Sequence, residues 1–157
     1  MRHLIIKVVF NCDLFWSEAE YEKLSELEKT KIINVEAIST FDFIDDENNY
    51  VCYMIISPIE MSKYEGILLN LDIKYYSFDL CDGILHGEID LKPIFERYLH
   101  PMNLEVYEDF FNNLEEWIMK NQSVDNVLDM INRKGLDSLR KIDKDFLDNY
   151  SASLLKK

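Results

Sequence analysis

The chain has 157 residues, 48% of them hydrophobic, and carries a formal net charge of −13 at pH 7. This length fits one domain, or one domain with an appendage, and four Gly and three Pro are too few for a disordered chain. Because an acidic surface repels phosphate backbones, the charge argues against direct binding of nucleic acid.

The negative charge is unevenly distributed along the sequence. Residues 1–119 carry a net charge of −15, whereas residues 120–157 carry +2. An acidic body of this kind attracts basic surfaces, which favours a basic protein partner. The alternative is that the acidity serves solubility alone.

Hydropathy and cysteine use predict a cytoplasmic protein that does not enter a membrane. The longest uncharged stretch, 48–59, has 12 residues, whereas a spanning helix needs about 20. Near the N-terminus, Lys7 interrupts the apolar run and no small-residue cleavage site follows, so a signal peptide is not expected. Three widely spaced cysteines, Cys12, Cys52 and Cys81, are typical of reduced thiols.

The first part of the chain predicts three strands and two helices. Ser17 begins the first helix as the N-cap of a capping box, and Ser57 followed by Pro58 begins the second. The third strand carries no charge on either face, so we expect it to be central and covered on both sides. The predicted strands span 4–12, 35–45 and 50–57, and the predicted helices span 17–33 and 58–70.

A β-hairpin is predicted next. The strand-like runs 73–81 and 84–91 are joined by Asp-Gly, the dipeptide that suits a type I′ turn. With this register Asp79 lies opposite His86 and Ser77 lies opposite Glu88. All four side chains are then expected on one face of the hairpin.

The remainder of the chain has helical periodicity. Its helices are predicted over 94–100, 103–120, 124–134 and 139–150, with Gly135 at the C-terminus of the third. The complete pattern predicts an α+β fold: a ferredoxin-like split βαβ sheet (β1-α1-β2-β3-α2-β4), extended by the hairpin strand, with C-terminal helices covering the second sheet face. We divide it into an acidic α+β domain, 1–121, and a two-helix tail, 122–157. The tail is either docked on that domain, which we favour, or held out as a partner-binding arm.

Residues 124–151 resemble a short helical module found as a C-terminal tail on many bacterial proteins, including rhomboid-type intramembrane proteases. The resemblance implies no activity. Members of that group usually have Lys at the position of Met130 and Ser or Thr at the position of Arg140. Since arginine cannot accept the capping hydrogen bond, Ser138 or Asp137 is expected to cap the last helix. The matching positions are Val127, Leu128, Asp129, Ile131, Gly135, Ser138, Leu139, Lys144, Leu147 and Ser151.

The predicted hairpin face carries the strongest candidate for catalysis. A carboxylate at Asp79 beside the imidazole of His86 could orient a general base, with Ser77 and Glu88 within reach. The alternative, which we favour, is an ordinary solvated face with a cross-strand ion pair.

Metal, cofactor and base-stacking sites are weakly indicated. His3, His86 and Cys81 could gather at one end of the sheet, but no Cys-x-x-Cys or His-Glu-x-x-His spacing is present, and we expect no metal or cofactor. The acidic turn 45–49 lacks the glycine of a calcium loop. Aromatic residues at Phe10 and Tyr53 are expected to pack in the core and not to stack on RNA bases.

Two classes of function remain open from the sequence. The first is a cytoplasmic protein that acts through protein–protein contact, as an adaptor, a regulator or an immunity-type inhibitor of a basic partner. The second is a small-molecule enzyme or ligand sensor that uses the 73–91 hairpin face. A homodimer formed through an open sheet edge or an apolar helix face is compatible with either class.

Overall fold

The computed structural model describes residues 2–11 and 36–156, and their fold is α+β. An antiparallel sheet forms the first part, and helices form most of the remainder. Two compact units divide after Leu80. The first contains β1 (Leu4–Asn11), β2 (Ser39–Ile44), β3 (Asn49–Ile56), α1 (Pro58–Asn70) and β4 (Tyr75–Asp79). The second contains α2 (Cys81–Leu85), α3 (Lys92–Arg97), a 3₁₀ turn (Pro101–Asn103), α4 (Leu104–Asn121), α5 (Val124–Lys134), a second 3₁₀ turn (Leu136–Ser138) and α6 (Lys141–Leu155).

The four described strands form a sheet in the order β2-β3-β1-β4, and every neighbouring pair is antiparallel. One row of the register joins Asp42, Cys52, Val8 and Ser77 across the four strands. This order is the one expected for a split βαβ unit. The helix predicted at 17–33, which would complete that unit, lies outside the described residues.

Strand β3 is central, as its uncharged sequence predicts. Residues 51–56 are all buried, so both faces of the strand are covered. On one face the sheet forms a hydrophobic core with α1 and the segment after it, made of Ile6, Val8, Phe10, Cys52, Met54, Ile56, Met61, Tyr64, Leu68 and Ile73. On the opposite face the buried side chains include Ile5, Phe41, Tyr53 and Ile55.

Helix α1 has the predicted bounds and the predicted start. The Ser57 hydroxyl accepts a hydrogen bond from the Glu60 backbone N–H at 3.2 Å, and Pro58 occupies the first turn. The cap satisfies a backbone donor that the helix itself cannot pair, and proline costs nothing where no N–H is needed. Met61 and Tyr64 then bury one side of the helix against the sheet.

The predicted 73–91 hairpin is wrong in its second half. Strand β4 ends at Asp79, and residues 81–85 form helix α2 where a type I′ turn was expected. The backbone N–H of Glu88 donates to the Gly83 carbonyl at 2.8 Å, which folds the chain back on the helix. The physical reason lies in the apolar spacing: Cys81, Ile84 and Leu85 are all buried, and this i, i+3, i+4 pattern fits a helix.

The C-terminal helices are confirmed with small shifts of their ends. Helix α5 has the predicted bounds, α3 and α4 lie within a few residues of theirs, and α6 begins at Lys141 and extends to Leu155. The buried face of α4 is formed by Phe110, Leu114, Trp117 and Ile118, whereas Leu104 is exposed. None of the helices in the described ranges is both long and apolar enough to cross a bilayer.

Candidate interaction site

The structure does not form the hairpin on which the catalytic hypothesis rests. On β4, Ser77 lies opposite Val8 and Asp79 lies opposite Ile6, so both residues pair with β1. Because residues 84–91 form no strand, the register that set Asp79 opposite His86 is wrong.

His86 and Glu88 have other partners in the turn after α2. His86 Nδ1 lies 2.8 Å from the carbonyl oxygen of Asp82. Glu88 pairs with Arg133 of α5, with 2.8 Å between the carboxylate and the guanidinium. Both ends of this ion pair are exposed, which limits its contribution to stability to about 1 kcal/mol or less.

The residues considered for metal binding do not assemble a ligand set. Across 2–11 and 36–156, no three His, Cys, Asp or Glu side chains cluster closely enough to hold a metal ion. Cys81 is buried and Cys12 lies outside the described residues. In the 45–49 turn, Asp45 Oδ1 accepts hydrogen bonds from the backbone N–H groups of Glu47 and Asn49, both at 2.9 Å.

Those hydrogen bonds favour the ionised form of Asp45. Burial acts to raise its pKa, but the bonds from Asn49 and Glu47, with a weaker attraction from Lys7, outweigh burial and lower it below 3.8. The carboxylate therefore organises a tight turn as a local backbone cap.

Burial dominates the titration of the polar groups in the first unit's core. It raises the pKa of the Cys52 thiol to about 12, and it also raises the pKa of Tyr50 and Tyr64. Tyr50 donates a hydrogen bond to Asp42 at 2.8 Å. The thiol is thus held in its unreactive, protonated form.

Phe10 and Tyr53 pack in the core, as expected. Both are buried, and the β1–β3 register places them on opposite faces of the sheet. The Phe10 ring packs on Tyr50, with centroids 4.9 Å apart.

The second unit contains a buried polar network that the sequence did not suggest. Asp143, in the first turn of α6, has no exposed surface. Its carboxylate accepts hydrogen bonds from Arg140 Nε at 2.7 Å and Nη2 at 3.1 Å. It also accepts a bond from Gln122 Nε2 at 2.8 Å. The charge is therefore both paired and hydrogen-bonded, the two conditions under which a buried carboxylate is tolerated.

Gln122 joins this network to two other segments. Its Nε2 also donates to the carbonyl oxygen of Leu85 at 2.9 Å, at the end of α2. Its Oε1 accepts from the Ser123 backbone N–H and from Asn126 at the start of α5. One amide group thus fixes the junctions of α2, α4, α5 and α6.

The cap of α6 differs from the prediction. The N-cap residue is Arg140, and neither Asp137 nor Ser138 caps the helix, because both lie in the preceding 3₁₀ turn. The Ser138 hydroxyl instead donates to the Gly135 carbonyl at 2.7 Å. Arg140 stabilises the helix start through the Asp143 side chain, an arrangement available to arginine although it cannot accept a capping bond.

The turn after α2 also lies close to Met130 and Arg140. Gly87 has φ +68°, and a Cβ atom there would lie 2.8 Å from Met130 Sδ and 3.9 Å from Arg140 Nε. Lys134 Nζ lies 3.2 Å from the Gly87 carbonyl oxygen. Only glycine fits both this backbone conformation and this approach without strain.

A small apolar cluster holds α5 and α6 together. Val127, Met130 and Leu139 are buried, and Ile131, Phe146 and Leu147 pack against them. Leu128, by contrast, is 48% exposed. Residues 122–156 pack on α4 and on the turn after α2.

The position of α6 along α4 creates an open groove of about 680 Å³. Carboxylates and apolar side chains line it together: Glu115 and Glu116 on α4, with Met119 on α4 and Ile142 on α6. The remaining lining residues are Asn112 and Lys120. The arrangement suits a ligand that combines positive charge with apolar surface.

Part of the chain matches a known protein family. The fold is that of an α+β protein whose C-terminal unit is helical. Residues 108–153 of that unit match a family of unknown function, DUF6576. The matched range begins within α4 and includes Gln122, Arg140 and Asp143, so the network lies within it. No curated protein and no solved structure is significantly similar to the chain. The resemblance of 124–151 to bacterial tail modules stays a prediction.

Proposed function

We propose that the chain is a cytoplasmic protein that acts through protein–protein contact, and that the α4–α6 groove binds a basic, amphipathic segment of its partner. The lining of the groove carries this proposal, because Glu115 and Glu116 lie beside the apolar side chains of Met119 and Ile142. Lysine and arginine match such a surface, since their stems are apolar and their ends are cationic.

The charge around the groove supports the same partner. Glu105, Glu108 and Asp109 are exposed farther along α4, and the whole chain carries −13. A basic partner gains long-range attraction before contact and ion pairs after it. An adaptor, a regulator and an immunity-type inhibitor of a basic protein would all use a surface of this kind.

The alternative of a small-molecule enzyme or ligand sensor rested on the predicted 73–91 hairpin face. It required a hairpin over 73–91 that brings Asp79 beside His86, and α2 replaces the second strand of that hairpin.

A defined peptide tests the proposal. The probe is a labelled helical peptide of lysine and leucine with one apolar face, and its control is a scrambled peptide of the same composition. We expect the amphipathic peptide to bind more tightly in fluorescence anisotropy. Its affinity should fall at least about tenfold between low and high salt, because exposed charges are screened.

Paired variants locate the binding surface. Glu115→Lys combined with Glu116→Lys should abolish binding, and Met119→Asp should weaken it without reducing the acidity. Asp129→Lys combined with Asp137→Lys alters the net charge equally at exposed sites outside the groove, so this control should retain most of the affinity. Equal losses in both double variants would reject the groove, and salt-insensitive binding would reject a basic partner.

A further inference from the structure

Strand β4 has an exposed edge with aromatic side chains. Among the strands that the structure describes, β4 lies at the end of the sheet and pairs with β1 alone. Residues 76–79 are all exposed, with Tyr76 at 71% and Phe78 at 49%. The strand sequence, YYSFD, contains neither Lys nor Pro, the residues that most often protect an edge from pairing.

The hydrogen-bond pattern shows which residues of β4 direct their backbone N–H and C=O groups away from the sheet. The Leu80 backbone N–H donates to the Ile5 carbonyl at 2.8 Å, so the backbone N–H and C=O groups of Leu80 are directed towards β1. The direction of the backbone N–H and C=O groups alternates from residue to residue along an antiparallel strand. These groups of Phe78 and Tyr76 are therefore also directed towards β1, whereas those of Ser77 are directed outwards, away from the sheet.

We propose that two copies of the chain dimerise through this edge, with β4 pairing antiparallel to β4 around a twofold axis at Ser77. In that register the two Ser77 residues form a hydrogen-bonded pair, which their outward backbone groups allow. Tyr76 then lies opposite Phe78 of the second copy, and the reverse pair is identical by symmetry. These are non-hydrogen-bonded pairs, in which side chains approach most closely.

The side chains match this register. An aromatic pair across two strands stabilises their pairing beyond simple burial, and the twofold axis supplies two such pairs. Both rings are already on the same side of the sheet, because Tyr76 and Phe78 are two residues apart. Lys7 Nζ lies 5.8 Å from the centre of the Phe78 ring and helps to hold it at the edge.

The area of the contact sets its strength. A five-residue strand with two aromatic side chains covers less than the roughly 800 Å² per partner of a standard interface. The dimer should therefore be weak, with a dissociation constant on the order of 100 μM. Each copy carries −13, so salt should strengthen the dimer by screening repulsion. This is opposite to the salt effect expected for binding of a basic partner in the α4–α6 groove.

Charge variants test the register by sedimentation velocity over a concentration series. Tyr76→Lys combined with Phe78→Lys sets like charges opposite each other and should abolish dimerisation. Tyr76→Lys combined with Phe78→Glu sets opposite charges face to face and should restore it. Each variant is first checked by circular dichroism for a melting temperature close to that of the unmodified chain.

The sedimentation results distinguish a dimer through β4 from a monomer and from a dimer through another surface. A monomer at about 1 mM, ten times the expected dissociation constant, would overturn the proposal. So would a dimer that survives the Lys–Lys combination, because it must use another surface. Loss with Lys–Lys and recovery with Lys–Glu supports the antiparallel register centred on Ser77, whether or not the groove binds basic peptides.

Discussion

Replacement of Arg140 by methionine is the sharpest test of the buried network. The substitution keeps the length and apolar stem of the side chain and removes its charge. Asp143 has no exposed surface, and Arg140 is 29% exposed. Removing one member of a buried ion pair costs about 3–5 kcal/mol, because the remaining charge is left uncompensated. Since Arg140 is partly solvated and Asp143 retains its bond from Gln122, we expect a loss of about 2–4 kcal/mol.

Arg133→Met is the matched control, because it also removes an arginine from an ion pair. The pair of Arg133 with Glu88 is exposed, at 42% and 57%, so its loss should cost about 1 kcal/mol or less. Asp143→Leu added to Arg140→Met removes both buried charges. The double variant should be more stable than Arg140→Met alone, since an apolar pair of similar volume often replaces a buried ion pair without cost.

The assay is urea unfolding followed by the fluorescence of Trp117, which is buried in α4. The only other tryptophan, Trp16, is replaced by phenylalanine in every variant so that the signal reports the second unit. With a slope of about 1–1.5 kcal/mol per molar urea, Arg140→Met should lower the midpoint by about 2 M. Equal midpoints for Arg140→Met and Arg133→Met would refute the reasoning, as would a double variant that is less stable than Arg140→Met.

Three further predictions follow from single sites. With the third cysteine replaced by serine, Cys52 and Cys81 should not react with a thiol reagent in the native state and should both react in urea, because both are buried; fast native labelling would contradict this. Asp45 has a lowered pKa, so the stability lost in Asp45→Ala should be constant above about pH 4 and should shrink as the pH falls through the folded-state value; urea midpoints from pH 2.5 to 7 measure it. Gly87→Ala should cost about 1–3 kcal/mol, because φ is +68° and a methionine sulfur lies 2.8 Å from the new Cβ. Gly66→Ala in α1, with nothing within 4 Å, is its control and should raise the stability by up to about 1 kcal/mol in the same thermal melts.

Elements with a strong pattern were predictable from the sequence. The uncharged run in β3 predicted a central strand, and Ser57 with Pro58 predicted the start of α1. The hairpin failed because the local signal was ambiguous. Asp-Gly is common in type I′ turns, but Cys81, Ile84 and Leu85 have the spacing of a buried helical face, and tertiary burial decided between the two.

The buried network in the second unit was harder to predict from the sequence. Arg140 and Gln122 are ordinary surface residues by type, and Gln122 bonds to Leu85 and Asp143, which lie 37 and 21 positions away. A sequence signal was nevertheless present at Asp143, because its spacing to Ile142, Phe146 and Leu147 places it on an apolar face of α6. A charged residue within an apolar face indicates either a functional group or a satisfied buried pair. The second hydrogen-bond partner of that carboxylate, Gln122, however, depends on how α4 and α6 pack.

The same network bears on whether residues 1–121 can fold alone. Gln122 closes the end of α2 through the Leu85 carbonyl, and α6 packs along α4. A chain that ends at Asn121 would lose both contacts and expose apolar surface near Trp117. We therefore expect this truncated chain to retain the sheet but to lose cooperative unfolding of α4, which hydrogen exchange at the α4 amides measures against the full chain. If the α4 amides are equally protected in both chains, then 122–157 is a separable tail, and the buried contacts of Gln122 contribute little to the stability of the second unit.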